Sequence, residues 1–193
     1  MVNNRIAALA IVASVGWTTA GAAKGAPPWV SWDAATKTVT FTLEAGAPAS
    51  SGPFNFDGYS NGKATIVVPA GSTVVMNFIN HDGTPHSAEL IPDQDPMPNM
   101  GGDPAIPAAY TKDVTQGLPQ GGRDVIRFTA PPSGTYRIFC GVPGHGLSGM
   151  WIRFKADPAA RYPHADPDPV VFRVHQVDVV ATVVRAFALE EEV

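Results

Sequence analysis

The sequence predicts an all-β protein, a sandwich of about seven to eight short strands. Three observations point there. Gly and Pro each number 19 among 193 residues, a share that suits short strands joined by turns better than long helices. Several segments alternate apolar and polar residues with a period of two, as a half-buried strand must. The central part of the chain carries no sustained helical period.

The expected strands follow in order. Lys37 to Leu43 (KTVTFTL) sets Val39, Phe41 and Leu43 on one face. Lys63 to Val68 (KATIVV) is β-branched and stops at the turn signal Pro69-Ala70-Gly71. Thr73 to Asn80 (TVVMNFIN) ends at His81-Asp82-Gly83. Pro85 to Leu90 aligns His86, Ala88 and Leu90. Arg123 to Thr129 is next, then Thr135 to Cys140 with Tyr136, Ile138 and Cys140 together. Met150 to Phe154 is the last clear strand. Between them, Pro92 to Pro119 forms a long connection rich in Pro, Asp, Gly and Met, of a length that is often functional. Phe54 to Tyr59 is aromatic and expected to pack on the core. Lys24 to Trp32 reads as a Pro/Trp-rich lead-in, and Asp157 to Pro169 as linker. Val170 to Val184 fits an alternating strand poorly. It fits a helical spacing moderately, against the low helix propensity of Val.

The ends of the chain differ from its middle. Asn3, Asn4 and Arg5 precede the apolar run Ile6 to Gly16, and Ala20-Gly21-Ala22 supplies small residues for a cleavage site. Residues 1–22 therefore read as an export signal. The competing reading is an uncleaved anchor, since Ile6 to Ala23 is just long enough to span a bilayer. Either way the protein is expected outside the cytoplasm: periplasmic, or on the outer face of the cytoplasmic membrane. Residues 33–156 are expected to form one domain, and 157–193 an extension of unassigned role. Residues 156–193 hold seven acids and three Arg, while 23–155 are nearly neutral with ten acids and nine bases. No Lys/Arg cluster exists to neutralise phosphates, which excludes a nucleic-acid binder.

Cys140 is the only cysteine. An exported chain with one Cys has no internal disulfide, and its thiol is vulnerable unless buried or metal-bound. Cys140 begins the segment CGVPGHGLSGM, which spaces a thiolate, the His145 imidazole and the Met150 thioether at intervals of five. Glycines and a proline fill the gaps, as a tight loop between two strands requires. Thiolate, imidazoles and a weak axial thioether form the ligand set of blue-copper electron transfer, whereas a thioether is a poor zinc ligand. A second imidazole is needed. His86, some fifty residues upstream on a short strand, is the best source; His81, at a turn, is the weaker one. Ser87 is placed to hydrogen-bond across to the ligand loop, and backbone N–H groups after Cys140 to point at its sulfur.

At this point a family resemblance is visible. Phe54 to Phe154 resembles the sulfocyanins, blue copper proteins of the cupredoxin fold. Phe54-Asn55-Phe56, Asn61-Gly62-Lys63, Val68-Pro69-Ala70-Gly71 and Pro85-His86 carry it, and above all Cys140-(four)-His145-(three)-Gly149-Met150-Trp151. The resemblance implies a Greek-key sandwich and one copper ion held by His86, Cys140, His145 and Met150. It also implies electron shuttling in a respiratory chain outside the cytoplasmic membrane, with partners such as a cytochrome or a terminal oxidase. The acidic extension and the cleavable-looking start depart from the family pattern.

Enzyme readings fare worse. The four protein donors leave no open position for substrate. Paired His-x-His motifs for a trinuclear copper cluster are missing, as is the second Cys of a binuclear site. The remaining alternative is a periplasmic copper carrier using Met97 and Met100 as soft ligands. Asp93, Asp95 and Asp103 lack a complete calcium-loop spacing. Val142, Pro143, Leu147 and Pro85 are expected to form a small apolar patch where His145 nears the surface, suited to brief docking of a redox partner by a monomer.

Overall fold

The computed structural model describes residues 30–167. The elements are β1 (Val30–Asp33), β2 (Thr38–Ala45), β3 (Ala64–Pro69), β4 (Thr73–Asn80), β5 (Glu89–Pro92), β6 (Arg123–Thr129), β7 (Gly134–Phe139), β8 (Trp151–Asp157) and β9 (His164–Pro167). They build two sheets, one ordered β1-β2-β4-β6 and the other β5-β7-β8-β3-β9. The pairs β2/β4 and β3/β8 are parallel and the rest antiparallel. The all-β sandwich expected from the sequence is present, with nine strands rather than seven or eight.

Alternation decides which side chains meet between the sheets. Along β2, Val39, Phe41, Leu43 and Ala45 are buried while the residues between them are half-exposed. Ile152, Phe154 and Ala156 do the same for β8. From the two inner faces, Phe41, Leu43, Ile66, Val68, Phe78, Ile138, Ile152 and Phe154 join one core. The Phe128 and Phe154 rings meet edge-on at 5.6 Å. Each such fully buried side chain contributes about 1.5–3 kcal/mol, so the site at the end of the sandwich rests on a rigid base.

Two strands went unseen in the sequence. β1 pairs with β2 through Val30↔Phe41, and β9 pairs with β3 through Thr65↔Asp166 and Val67↔His164. Both are edge strands, where Pro and polar residues are tolerated and pairing rests on backbone groups that a side-chain pattern does not report. β5 also starts later than expected, at Glu89 rather than Pro85. His86 instead forms an isolated bridge: its N–H donates to the Leu118 carbonyl at 3.1 Å, and the Leu118 N–H donates back at 2.7 Å. The export segment at 1–22, the Val-rich stretch at 170–184 and the acidic end at 190–192 lie outside the described residues. Among those described, no helix is long and apolar enough to cross a membrane.

The segment between β2 and β3 carries one unusual buried group. The Asp57 N–H donates to the Glu44 carbonyl at 2.8 Å, and Asp57 Oδ1 accepts the Glu44 N–H at 3.2 Å. Asp57 Oδ2 is sealed from solvent with no partner, although the residue as a whole is half-buried. Burial pushes its carboxyl up to about 7, against the lowering effect of the Glu44 N–H.

Candidate metal centre

The β7–β8 pairing ends at Phe139↔Trp151, which leaves Cys140 and Met150 facing across the mouth of the hairpin. The Cys140 N–H donates to the Met150 carbonyl at 3.0 Å, and the Met150 N–H to the His145 carbonyl at 3.1 Å. The His145 N–H turns back to the Val142 carbonyl at 3.1 Å. This loop needs glycine where it doubles back. Gly149 has φ +96°, and a Cβ there would lie 2.6 Å from Asn61 Nδ2.

His86 arrives from the other sheet's side of the fold on a braced turn. The Asn80 side chain, fully buried at the end of β4, donates from Nδ2 to the Thr84 carbonyl at 2.8 Å and to the Leu118 carbonyl at 2.9 Å. Its Oδ1 accepts the Asp82 N–H at 2.9 Å. One amide side chain thus ties the turn to the connection that pairs with His86.

These braces bring three donor atoms to one place. His86 Nδ1, Cys140 Sγ and His145 Nδ1 all lie within 4.8 Å of one another. The separations are 3.2 Å between the two nitrogens, 3.9 Å from sulfur to His86 and 3.4 Å from sulfur to His145. A triangle of these sides has its centre about 2 Å from each corner, the length of a transition-metal bond to imidazole. His86 and Cys140 are fully buried, and His145 is 9% exposed. Met150 is fully buried beside them, with its main chain bonded to both Cys140 and His145.

The protonation states suit metal binding. Burial first, then the neighbouring His145, pulls His86 down to about 4, with Asp82 acting the other way. Burial also lowers His145. Both rings are therefore neutral at pH 7 with lone pairs to offer. Burial pushes the Cys140 thiol up, while the N–H groups of Ser87 and Val142 favour its thiolate. A thiolate sealed from water at neutral pH needs a cation next to it.

The surroundings order the donors. The Ser87 N–H points at Cys140 Sγ from 3.4 Å. Ser87 Oγ donates to the Val114 carbonyl at 2.6 Å and accepts the Gly141 N–H at 3.0 Å. Ser87 therefore crosses to the ligand loop as expected. The Phe54 ring packs on His145 at 4.8 Å and on His86 at 6.4 Å, covering both. Behind His86, Nε2 has no hydrogen-bond partner and faces Asp82 Oδ1 at 3.6 Å.

The other candidates lie apart. His81 is exposed and pairs with Glu44 at 3.6 Å. His164 faces Asp166 at 3.6 Å on β9. Met97 Sδ sits 3.9 Å from the Arg137 guanidinium, where a cation competes with any metal, and Met100 is exposed. Asp93 and Asp95 are taken by Arg137 at 2.6 and 3.1 Å. Leu147, Pro143 and Pro85 are exposed and Val142 half-buried around His145. Sequence reasoning missed Asn80 and Asp82 as supports and Phe54 as a cover. The cue for the first two was an Asn at a strand end, followed two residues on by an Asp that begins a turn.

Comparison with known proteins places the chain in a family. A family model for the sulfocyanin (SoxE) domain matches residues 27–165. Sulfocyanin from Sulfolobus acidocaldarius is 33% identical over 141 residues, covering 69% of this chain and 71% of that protein. Among solved structures, rusticyanin from Thiobacillus ferrooxidans is 29% identical over 63% of this chain and 82% of its own, with a TM-score of 0.45. Reduced rusticyanin matches with the same identity and score over 63% and 85%.

Proposed function

The chain belongs to the sulfocyanin family of blue copper proteins, and from that premise we propose that His86, Cys140, His145 and Met150 hold one copper ion for single-electron transfer outside the cytoplasm. The observation that carries this reading is the buried triangle of two imidazole nitrogens and one thiolate sulfur. A copper ion bound there supplies the Cu(II)/Cu(I) couple. The protein supplies everything else. Cys140 would contribute a strongly donating thiolate, His86 and His145 two imidazole nitrogens, and Met150 a thioether as the fourth donor.

Hydrogen bonds on both sides of the 140–150 loop, and the bracing of His86 by Asn80, hold the donors in place before the metal arrives. Little movement is then needed between oxidation states. With four donors from protein there is no place for a substrate, so the protein is a carrier and not an enzyme. Electrons pass at the His145 edge, where Leu147, Pro143 and Pro85 present an apolar surface to a cytochrome or terminal oxidase. The electron-transfer domain takes in β1 and β9 on either side of residues 33–156, and the acidic residues after β9 are an appended segment. Residues 1–22 direct export, either cleaved or kept as an anchor on the outer face of the membrane.

The visible spectrum of the Cu(II)-loaded protein tests this reading. An intense thiolate-to-copper charge-transfer band, giving a blue solution, is the expected outcome. A colourless protein that takes up only Cu(I) contradicts it.

A further inference from the structure

We infer that Asp82 is a positioning residue for the metal centre: its carboxylate behind His86 presents Nδ1 to the metal and favours the oxidised ion over the reduced one. The inference rests on His86 being a ligand. Three observations carry it.

First, the two ends of the His86 ring are in opposite situations. Nδ1 faces Cys140 Sγ and His145 Nδ1 at 3.9 and 3.2 Å. Nε2 is buried, has no hydrogen-bond partner, and finds one charged group at 3.6 Å, the Asp82 carboxylate. A neutral imidazole carries its single proton on one nitrogen. The carboxylate attracts that proton to Nε2 and leaves the Nδ1 lone pair free. Carboxylate–imidazole–metal arrangements use this division of labour to fix the tautomer and make the ring more basic.

Second, the carboxylate is held where it is needed. Asp82 Oδ1 accepts the Thr84 N–H at 2.7 Å, and the Asp82 N–H donates to Asn80 Oδ1 at 2.9 Å. Asn80 in turn grips the Thr84 and Leu118 carbonyls, and Leu118 pairs with His86 itself. The charge and the ring therefore ride on one hydrogen-bonded unit. A Cβ on Gly46 would sit 2.4 Å from Asp82 Cβ, so the backbone opposite is glycine where Asp82 packs.

Third, the other acids near this turn are engaged elsewhere or point away. Glu44 pairs with the exposed His81, and Asp57 is bound to the Glu44 backbone. Glu89 Oε2 accepts the Gly102 N–H at 3.2 Å. Among the described residues, Asp82 is the acid whose carboxylate faces a ring of the donor triangle, at 3.6 Å. A negative charge beside the site stabilises the higher-charged ion more than the lower-charged one. Because Asp82 is about one-quarter exposed (28%), solvent moderates the effect.

The test is the reduction potential of Asp82→Asn and Asp82→Ser, measured by spectroelectrochemistry on the full copper-loaded protein. Both side chains can still accept the Thr84 N–H, so the turn survives while the charge is removed. Each variant is expected to weaken Cu(II) relative to Cu(I) about fivefold, below the roughly 10–100-fold of a fully buried outer-shell partner because Asp82 is partly solvated. For a one-electron couple that is a rise of about 40 mV. Nitrogen-15 NMR of the metal-free protein gives a second reading: the His86 proton sits on Nε2 in the parent and is shared between nitrogens in Asp82→Ser. Glu44→Gln, which removes a carboxylate paired to the same turn, leaves the potential in place. Folded, blue variants of Asp82 with the parent potential and an unchanged His86 tautomer overturn the inference while leaving the copper assignment intact. A parent protein that never turns blue is instead a failure of the copper assignment itself.

Discussion

Two ionisable groups with sealed polar atoms, His86 and Asp57, meet burial with opposite outcomes. His86 loses its proton more easily than a free imidazole, down to about 4. Asp57 keeps its proton longer than a free carboxyl, up to about 7. Both shifts come first from removing the charged form from water. The difference lies in what surrounds each group. Around His86 two further donor atoms, Cys140 Sγ and His145 Nδ1, converge on the same point as its Nδ1, and neutrality suits a ring that donates to a cation. Around Asp57 one oxygen accepts a backbone N–H and the other is sealed with nothing. Among the described residues Oδ2 has no hydrogen-bond partner, and its burial is a plain cost above neutral pH. Burial of a titratable group is thus not by itself a sign of function; convergence of further donors on the same point is.

Removing the convergence has the largest expected effect. Cys140→Ser takes away the thiolate, and the charge-transfer colour should vanish with a fall in Cu(II) affinity of more than about 100-fold, beyond what outer-shell changes cause. Visible absorption during copper titration checks this; a blue Cys140→Ser protein contradicts it.

Next comes the pH response of the two groups. In the metal-free protein, His86 binds protons more weakly when folded than when unfolded. Stability from this group is present above about 6.5 and lost as pH falls toward about 4, a loss of about 3 kcal/mol. Copper should cancel it, because the ring cannot take a proton on a nitrogen that holds the metal. Asp57 acts in the opposite sense. Its stabilising contribution is complete below the ordinary carboxylate value of 3.8 and is lost as pH rises through about 7. Urea unfolding of the metal-free and copper-loaded protein between pH 4 and 8 separates the two slopes. An identical pH profile with and without copper removes His86 from the site.

Asp57→Asn sharpens the contrast from the other side. At pH 8 the variant should be more stable than the parent by up to about 4 kcal/mol, since no buried charge remains. At pH 4 the two should agree, and the copper colour should be the same in both. A loss of colour on this substitution ties Asp57 to the metal and ends the distinction.

The smallest change in stability is expected for Met150→Leu. The swap conserves volume and should cost less than about 1.5 kcal/mol. Copper should stay bound with a higher potential, because a donor to Cu(II) is gone. Thermal melts and voltammetry on one sample read both quantities; an unchanged potential argues against Met150 as a donor.

These contrasts also mark what the sequence discloses. The cysteine, histidine and methionine of the 140–150 loop are legible because one short, glycine-rich interval holds three soft donors, a pattern with few other uses. His86 is legible only by need, as the best of five histidines, and its position depends on a bridge to Leu118 that no local pattern announces. The inner strands are written in alternating side chains. β1 and β9 are not, since an edge strand is made by backbone pairing and tolerates Pro and Asp. Asp57 looks like an ordinary turn residue, because burial of a single carboxyl oxygen follows from packing between distant segments. Asp82 is hidden for the same reason.

The central claim is that one copper ion sits among four side chains. Anomalous diffraction at the copper edge, on crystals of the loaded protein, tests it most directly. One strong peak is expected within bonding range of His86 Nδ1, Cys140 Sγ and His145 Nδ1, with Met150 Sδ as the fourth neighbour. A peak elsewhere, or a copper ion lacking the Cys140 sulfur, contradicts it.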